Sequence, residues 1–311
     1  MKIFKIILIV SVFSAISSFS NAEQIKDGFG KATLPDSSVY EGEFKNGLFN
    51  GKGTLTWRNG NRCKGEFKDG LLNGKATCKA ATAEYTGEFK DGLMHGQGVL
   101  ISSNGDRYEG EFKDGYMHGD GVLMQNSVRI EGQFEKGVPC GKVIAIAPNR
   151  FHYEGQVKNN RFNGKGKIVY EIGETYEGDF VDDMFEGRGI FIRPDGLRYE
   201  GEFKKGRKDG KGKVILPSGE IYEGDFKDDL PDGRGVENFT NGDIYVGEFK
   251  KGFMDGKGVY TYKIGTKYDG EFKSGFFHGY GVFKYPPDCK DCPEKTEKGR
   301  WDNGRLIEKL N

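Results

Sequence analysis

The sequence carries no net charge, little hydrophobicity overall and none of the motifs that mark the common enzyme classes. Its 47 basic residues balance 47 acidic ones, whereas proteins that bind nucleic acid or are attracted to anionic lipid usually have a basic excess. A mean hydropathy of −0.65 argues against a compact globule with a large buried core. No nucleophile elbow, phosphate-binding loop or metalloprotease motif is present. We therefore expect no nucleic-acid binding, no catalysis, no cofactor and no metal site.

Glycine and aromatic side chains are abundant instead. There are 50 glycines, 24 phenylalanines and 15 tyrosines among the 311 residues. Large apolar rings stay exposed to water only at a cost, so disorder is a poor explanation for the low hydropathy. We expect an ordered structure that buries these rings without a large globular core.

The N-terminal stretch "MKIFKIILIVSVFSAISSFSNA" has the pattern of a secretory signal peptide. Lys2 and Lys5 precede an apolar run, and Ser20 and Ala22 are the small residues that a signal peptidase requires. Several serines interrupt the run, which is short for a bilayer-spanning helix, so an uncleaved membrane anchor is the weaker alternative. The sequence predicts that the signal is cleaved and that the protein is secreted or periplasmic.

The stretch "YEGEFKDGYMHGDGVL", Tyr108 to Leu123, recurs along most of the chain. Its first residue is taken here as the first place of a repeat, and eleven repeats follow one another at intervals of 22 or 23 residues. A period in this range indicates an array of structural repeats. The repeats begin at residues 40, 63, 85, 108, 130, 153, 176, 199, 222, 245 and 268.

Each repeat has the pattern of one β-hairpin. Large and polar residues alternate in its first half, as Tyr108, Gly110 and Phe112 do with the intervening glutamates, and they alternate again in its second half. Gly115 and Gly119 bracket a turn between the two halves. Successive hairpins need only short connections, so the sequence predicts an antiparallel meander.

Glycine occupies the third and twelfth places in all eleven repeats. If the first place pairs with the sixteenth, we expect these glycines to lie on the same face as the tyrosines and phenylalanines. Bare backbone there would let the rings lie flat on the sheet, so that a single layer buries apolar surface. The eighth place holds glycine, asparagine or aspartate, which tolerate a positive φ angle in a turn.

The pattern of these hairpins resembles the MORN repeat (membrane occupation and recognition nexus), over about residues 28 to 304. Nine repeats begin with tyrosine and ten have phenylalanine at the fifth place. The resemblance implies an all-β, elongated, twisted ribbon that is a single-layer antiparallel meander of β-hairpins. It also implies a family whose members mostly serve as scaffold, dimerisation or attachment modules, with lipid binding suggested for some of them.

We expect four segments along the chain: a signal peptide at 1–22, an N-terminal half repeat or cap at 23–39, eleven repeats at 40–283, and a cysteine-containing insertion with a C-terminal cap at 284–311. The fifth and sixth repeats depart from the pattern, with Ile130 in place of tyrosine and Val157 in place of phenylalanine. Sequence drift explains the departure, and a bend or hinge between two sub-arrays is the alternative.

Two sets of polar residues resemble metal-binding or catalytic groups but occupy fixed places of the repeat. His95, His118 and His278 all lie at the eleventh place, where other repeats have asparagine or aspartate, which favours a turn role over a zinc site. Acids at the second and fourth places resemble the paired carboxylates of hydrolases. In the assumed register, we expect each fourth-place acid to pair with the base at the thirteenth place of its own repeat, as Glu43 with Lys52.

The cysteines predict disulfide bonds. Cys63 and Cys78 occupy the first and sixteenth places of the second repeat, so they should be cross-strand neighbours and form a disulfide in an exported protein. The alternative is that they are two small apolar fillers. Cys289 and Cys292 form a single CxxC, which favours a local disulfide over a metal site or redox chemistry. Cys140 is left over, and it is either buried or available to cross-link partners.

Two surfaces are candidates for contact with a partner. One is an apolar ridge at the ninth and tenth places of the turns, formed by Leu48, Phe49, Leu71, Leu72, Leu93, Met94, Tyr116, Met117, Phe253, Met254, Phe276 and Phe277. The other is the aromatic face, formed by Tyr40, Tyr85, Tyr108, Tyr153, Tyr176, Tyr199, Tyr222, Tyr245 and Tyr268. For the ridge, the alternative is that the turns pack on one another from repeat to repeat.

These features together favour a non-catalytic repeat scaffold in the secretory or periplasmic compartment. Such a scaffold would bind a protein partner or form a homodimer through one of the two surfaces. Attachment to a membrane lipid or to an envelope glycan is the alternative, since tyrosine-rich grooves stack on sugar rings.

Overall fold

The computed structural model describes residues 26–286 and 295–310. These residues form 25 strands and no helix, and the strands belong to a single antiparallel sheet. The predicted all-β meander of β-hairpins is therefore confirmed. The chain divides into two compact parts, an N-terminal half that ends at Phe162 and a C-terminal half that begins at Asn163.

The N-terminal half contains twelve strands and the first two residues of a thirteenth. They are β1 (Gly28–Thr33), β2 (Val39–Lys45), β3 (Leu48–Thr56), β4 (Arg62–Lys68), β5 (Leu71–Lys79), β6 (Ala83–Lys90), β7 (Leu93–Ser102), β8 (Arg107–Lys113), β9 (Tyr116–Gln125), β10 (Val128–Glu135), β11 (Val138–Ala147) and β12 (Phe151–Lys158). Each repeat supplies two consecutive strands, which are joined by a tight turn.

The C-terminal half continues the same pattern. Its strands are β13 (Arg161–Tyr170), β14 (Thr175–Val181), β15 (Met184–Ile192), β16 (Arg198–Lys204), β17 (Arg207–Ile215), β18 (Ile221–Lys227), β19 (Leu230–Asn238), β20 (Ile244–Lys250), β21 (Phe253–Thr261), β22 (Lys267–Lys273), β23 (Phe276–Lys284), β24 (Thr296–Asp302) and β25 (Arg305–Lys309).

The register between the two strands of a repeat changes part of the way along. Tyr40 pairs with Leu55, which confirms the predicted pairing of the first place with the sixteenth. A β-bulge then lies between Gly42 and Glu43, so that Glu43 faces Asn50 at the eleventh place. The two residues after the eleventh place have no partner in this ladder, and they pair instead with the next repeat.

Side chains alternate between two faces of the sheet. The aromatic face carries the first, fifth, tenth and sixteenth places. The opposite face, called here the polar face, carries the second, fourth, thirteenth and fifteenth places. On the aromatic face, the Tyr40 ring meets the rings of Phe44 and Phe67 edge-on, with centroids 5.1 Å apart in both cases. It also stacks on Phe49 at 3.7 Å, so each tyrosine is enclosed by rings from its own repeat and the next.

Glycine at the third and fourteenth places makes room for the tyrosine ring. A Cβ atom on Gly42 would lie 2.6 Å from the Tyr40 hydroxyl, and one on Gly53 would overlap the ring. The predicted platform of bare backbone is therefore present, but it uses the fourteenth place rather than the twelfth. Where the first place is not tyrosine, the fourteenth is not glycine: Ala76 accompanies Cys63 in this role.

Glycine is needed at the twelfth place because of the backbone conformation and the neighbouring carboxylate. The expectation that it lies beneath the rings is wrong. Gly51 has a φ of 58°, which places it in the left-handed region. A Cβ atom there would collide with the Glu43 carboxylate. That carboxylate accepts a hydrogen bond of 3.1 Å from the backbone N–H of Lys52, which closes the bulge.

The same bulge overturns the predicted ion pairs within a repeat. Among the described side chains, the structure forms none of the pairs Glu43–Lys52, Glu66–Lys75, Glu202–Lys211 or Glu248–Lys257. The shift places each thirteenth-place base opposite the fourth-place acid of the next repeat instead, as for Lys52 and Glu66. Ion pairs of this kind join Lys165 to Asp179 at 2.7 Å, and Lys211 to Asp225 at 2.5 Å.

The turns of successive repeats are hydrogen-bonded to one another. The backbone N–H of Gly70 donates to the Phe49 carbonyl of the preceding repeat at 2.9 Å, and Gly115 donates to Met94 in the same way. Where the eighth place is not glycine, the φ angle is still positive, as at Asp229 (74°). The predicted conformational role of the eighth place is confirmed, and contact between neighbouring turns is part of the fold.

Candidate interaction surfaces

The aromatic face is the core of the sheet. The first-place tyrosines are between 0% and 4% exposed. Each of their hydroxyls donates a hydrogen bond to the carbonyl of the fourth place, as Tyr40 does to Glu43 at 3.0 Å. Burial, with a smaller effect of the neighbouring acid, raises the pKa of Tyr40 and of Tyr268 to about 12. A partner would therefore have to contact another surface. This set comprises Tyr40, Tyr85, Tyr108, Tyr153, Tyr176, Tyr199, Tyr222, Tyr245 and Tyr268.

The predicted apolar ridge divides between the two faces. The tenth-place residues belong to the aromatic face and lie against the first-place rings. Among these, Phe49, Leu72 and Met94 are buried, whereas Met117, Met254 and Phe277 are half-buried. The ninth-place residues point the other way: Leu48, Leu71 and Tyr116 are half-buried, and Leu93, Phe253 and Phe276 are exposed.

The ninth place forms an exposed apolar column in the C-terminal half. Phe253 and Phe276 are 58% and 56% exposed, and Met184 and Leu230 are 41% and 46% exposed. These four residues are called the turn-edge column. Met184 and Leu230 were not among the predicted ridge residues, although an apolar side chain at the ninth place was the signal that could have located both.

One turn of this half is charged. Arg207 takes the ninth place and forms an ion pair with Asp228 at 3.2 Å. Lys208 takes the tenth place, where its ammonium group lies 5.4 Å from the centroid of the Tyr199 ring. Burial lowers the pKa of Lys208. The charged turn therefore keeps contact with the first-place ring but interrupts the turn-edge column.

The disulfide predicted in the second repeat is confirmed. Cys63 and Cys78 are paired across strands β4 and β5 and are bonded to each other, and both are fully buried on the aromatic face. Cys140 is a free thiol of intermediate exposure, and burial raises its pKa. The predicted pair Cys289 and Cys292 lies outside the described residues.

The histidines at the eleventh place connect one turn to the next. His278 Nδ1 lies 3.3 Å from Asp302 Oδ1, and His95 Nδ1 lies 3.9 Å from Asp114 Oδ1. Asn73 makes the equivalent contact, donating to Asp91 at 3.2 Å. Across the part of the chain that the structure describes, no three potential ligands are grouped so that they could hold a metal ion.

A groove lies on the polar face of the N-terminal half and has a volume of about 1050 Å³. It crosses strands β1 to β7. Its polar lining includes Lys52, Lys64, Lys75, Glu66, Glu88, Thr54, Thr77 and Thr86, and Phe29 stands at one end. This feature is called the polar-face groove, and it was not among the predicted contact surfaces.

The groove has unbalanced charge. Five bases and three acids line it, an excess of two positive charges. Lys52, Lys64 and Lys75 are exposed, and within residues 26–286 and 295–310 none of their ammonium groups lies within 4.0 Å of a carboxylate oxygen. Lys64 occupies the second place, which is acidic in eight of the eleven repeats, as at Glu109. That exception was the signal in the sequence that could have located the groove.

The family model described as "MORN repeat" matches the chain in eleven segments. They cover residues 40–62, 63–82, 85–107, 108–125, 131–142, 153–175, 176–198, 199–221, 222–244, 245–267 and 268–290. The chain therefore belongs to the MORN-repeat family. No curated protein sequence matches it significantly.

Solved structures with a similar chain trace include the TCP10 domain of CPAP from Danio rerio in complex with a peptide of Danio rerio STIL. Its TM-score is 0.40 at 18% identity, covering 70% of this chain and 96% of that chain. Another is the SAS-4 (dCPAP) TCP domain of Drosophila melanogaster in complex with a proline-rich motif of Ana2. Its TM-score is 0.30 at 14% identity, covering 57% of this chain and 85% of that chain. At TM-scores this low, the likeness carries no inference about function.

Among the described residues, no helix is long and apolar enough to cross a membrane.

Proposed function

We propose that the protein is a non-catalytic scaffold that binds a protein partner through the turn-edge column. The supporting observation is that Phe253 and Phe276 remain more than half exposed, while the neighbouring tenth-place residues Met254 and Phe277 turn towards the core. Apolar side chains that recur along one edge of a folded protein usually meet a partner. Phenylalanine and methionine are also among the side chains enriched in the centres of protein interfaces.

A catalytic role has little support from the acid pairs. The fourth-place carboxylates close the bulges. Asp225, for example, accepts a hydrogen bond of 2.9 Å from the backbone N–H of Arg234. Equivalent bonds recur at Glu43 and Glu248. Catalysis needs one group whose surroundings differ from those of its copies, whereas these acids repeat one structural role.

We further propose that the protein acts in the secretory or periplasmic compartment. The N-terminal stretch has the pattern of a signal peptide. A buried disulfide between Cys63 and Cys78 is consistent with an oxidising compartment, because such bonds rarely persist in a reducing cytosol.

Substitution of the column by charged residues tests the binding role. We expect Phe253→Asp combined with Phe276→Asp to weaken partner capture from the envelope fraction by at least about tenfold, because two interface anchors are lost. The matched control is Ile264→Asp, since Ile264 is 75% exposed and lies in the connection at the opposite ends of the strands. Capture is quantified by mass spectrometry of bound proteins.

Light scattering of the purified chain separates a homodimer from a hetero-complex. If the partner is a second copy, the double variant is monomeric and the Ile264→Asp control keeps the mass of the wild type. Equal capture and equal mass for the wild type and the double variant would contradict the proposal. Sedimentation of the wild type with vesicles or cell-wall material would favour surface attachment instead.

A further inference from the structure

We propose that the polar-face groove binds an extended, acidic segment of a partner protein, with a carboxylate of that segment placed at Lys64. The inference rests on the proposed protein-binding function and assigns a second contact surface, separate from the turn-edge column.

Three lysines stand in neighbouring strands without internal partners. Lys52 lies on β3, Lys64 on β4 and Lys75 on β5, and all three line the groove. Lys64 is flanked on both sides by threonines, because it pairs with Thr54 in one ladder and with Thr77 in the other. Its neighbours in both ladders are therefore threonines, and although Glu66 lies two residues further along the same strand, Lys64 forms no ion pair with it. An anionic ligand would supply the counter-charge.

The floor of the groove is fixed. Cys63 and Cys78, bonded to each other, lie on the aromatic face next to Lys64 and Thr77 in sequence, so the covalent bond joins the two strands that carry the centre of the groove. Thr77 and Thr86 are hydrogen-bonded through their hydroxyls at 3.1 Å. A floor that is held before binding lowers the ordering cost that a ligand must overcome.

The shape of the groove fits an extended chain. It crosses seven strands, about 29 Å at the usual spacing between strands, which is the span of about eight to nine extended residues. Phe29 is 76% exposed at one end, where it offers an apolar contact of the kind that anchors peptides. The ligand predicted from these features is a short segment with acidic residues and at least one apolar residue towards an end.

Direct binding of synthetic peptides tests the proposal. The probes are fluorescein-labelled ten-residue peptides that alternate glutamate with valine, and matched peptides with glutamine or lysine in place of glutamate. We expect the glutamate peptide to bind in a fluorescence anisotropy titration, and the glutamine peptide to bind about tenfold more weakly. Added salt should lower the affinity for the glutamate peptide, because the lysines are exposed to solvent and their charges are screened.

Two single variants assign the binding to Lys64. Lys64→Glu introduces the acid that is common at this place. We expect it to lower the affinity for the glutamate peptide at least about tenfold through charge repulsion. Lys68→Glu is the matched control, because Lys68 lies on the same strand but does not line the groove, and it should change the affinity less than about twofold. Lys64→Gln, which removes the charge without reversing it, should be intermediate, and an intact Cys63–Cys78 bond by mass spectrometry reports correct folding.

Three results would overturn the inference: no binding of the glutamate peptide, equal affinity for the wild type and Lys64→Glu, or equally tight binding of single-stranded DNA, which would mean unspecific attraction. The scaffold function is judged separately by capture of the partner. If Lys64→Glu captures the partner as the wild type does while the Phe253 and Phe276 variant does not, the scaffold function stands and the groove is excluded.

Discussion

In the N-terminal half, Lys52, Lys64 and Lys75 line a groove, and none of their ammonium groups forms an ion pair with a described carboxylate. In the C-terminal half, two lysines at the thirteenth place form ion pairs with the next repeat: Lys165 with Asp179 at 2.7 Å, and Lys211 with Asp225 at 2.5 Å. Backbone register is the same in both halves, so the difference lies only in which side chains occupy the polar face. Among the three lysines, Lys64 departs from the repeat, because it stands at a second place that is acidic in eight of the eleven repeats.

On the aromatic face, the two halves differ in how regular the repeat is. In the C-terminal half the first place is tyrosine in every repeat that begins there, whereas the N-terminal half has Cys63 and Ile130 at two of its positions. Each exception is matched at the fourteenth place, where Ala76 and Val143 replace glycine. The core therefore changes only in linked pairs, since a ring and a Cβ atom cannot share one space, while the polar face varies one residue at a time.

Alkaline unfolding should have the largest effect and should affect the C-terminal half more. Burial raises the pKa of Tyr268 from its ordinary value of 10.0 to about 12, and raises that of the other first-place tyrosines of this half. The folded state holds these protons more tightly than the unfolded chain does, so the stabilisation is complete below pH 10 and is lost as the pH rises through about 12. Denaturation by urea at a series of pH values, with hydrogen exchange of each half as the local probe, measures this loss. Unchanged stability up to pH 12 would contradict it.

Gly212→Val tests the pairing of ring and glycine. A Cβ atom on Gly212 would lie 2.6 Å from Cε2 of Tyr199, so we expect a loss of about 3 kcal/mol in the free energy of unfolding. Adding Tyr199→Ile, which copies the Ile130 and Val143 pair, should recover about 1 to 2 kcal/mol of it. Urea denaturation of both variants measures the effects. Losses that simply add in the double variant would show that the two places are independent.

Removal of the disulfide should have a smaller effect, confined to the N-terminal half. The bond joins residues separated by 15 positions, and a loop of this length gives about 2 to 3 kcal/mol on the chain-entropy account. Cys63→Ala combined with Cys78→Ala should lower the urea midpoint measured by hydrogen exchange in β4 and β5. Equal protection of these strands in the variant and the wild type would be evidence against a stabilising role. Cys140→Ala is the control, because its thiol is free.

Much of the core was predictable from the sequence because it repeats. Alternation of large and polar residues predicts the strands, and the first-to-sixteenth pairing correctly predicts that Cys63 lies opposite Cys78. The bulge after Gly42 was not predictable by that alternation, since the pattern of polar residues reads equally well without it. Its consequence was that Lys52 was assigned to the acid of the wrong repeat.

The candidate contact surfaces were predicted less well. Phe276 and Phe277 are equivalent apolar residues in the sequence, but the strand alternation sends one outward and the other on to the Tyr268 ring, at 3.9 Å. The polar-face groove depends on side chains from seven strands that approach only through pairing between repeats. Lys64 at a place that is usually acidic marks the region in the sequence, but the other lining residues are brought together only by the fold.

The sequence by itself determined the repeat, the hairpin and the face that carries the rings, because these follow from spacing within about 20 residues. Only the tertiary structure decided which acid meets which base, which turn residues remain exposed, and where unpaired lysines gather. Those outcomes depend on the register between one hairpin and the next. A bulge shifts that register without changing the alternation of side chains from which the strands were predicted.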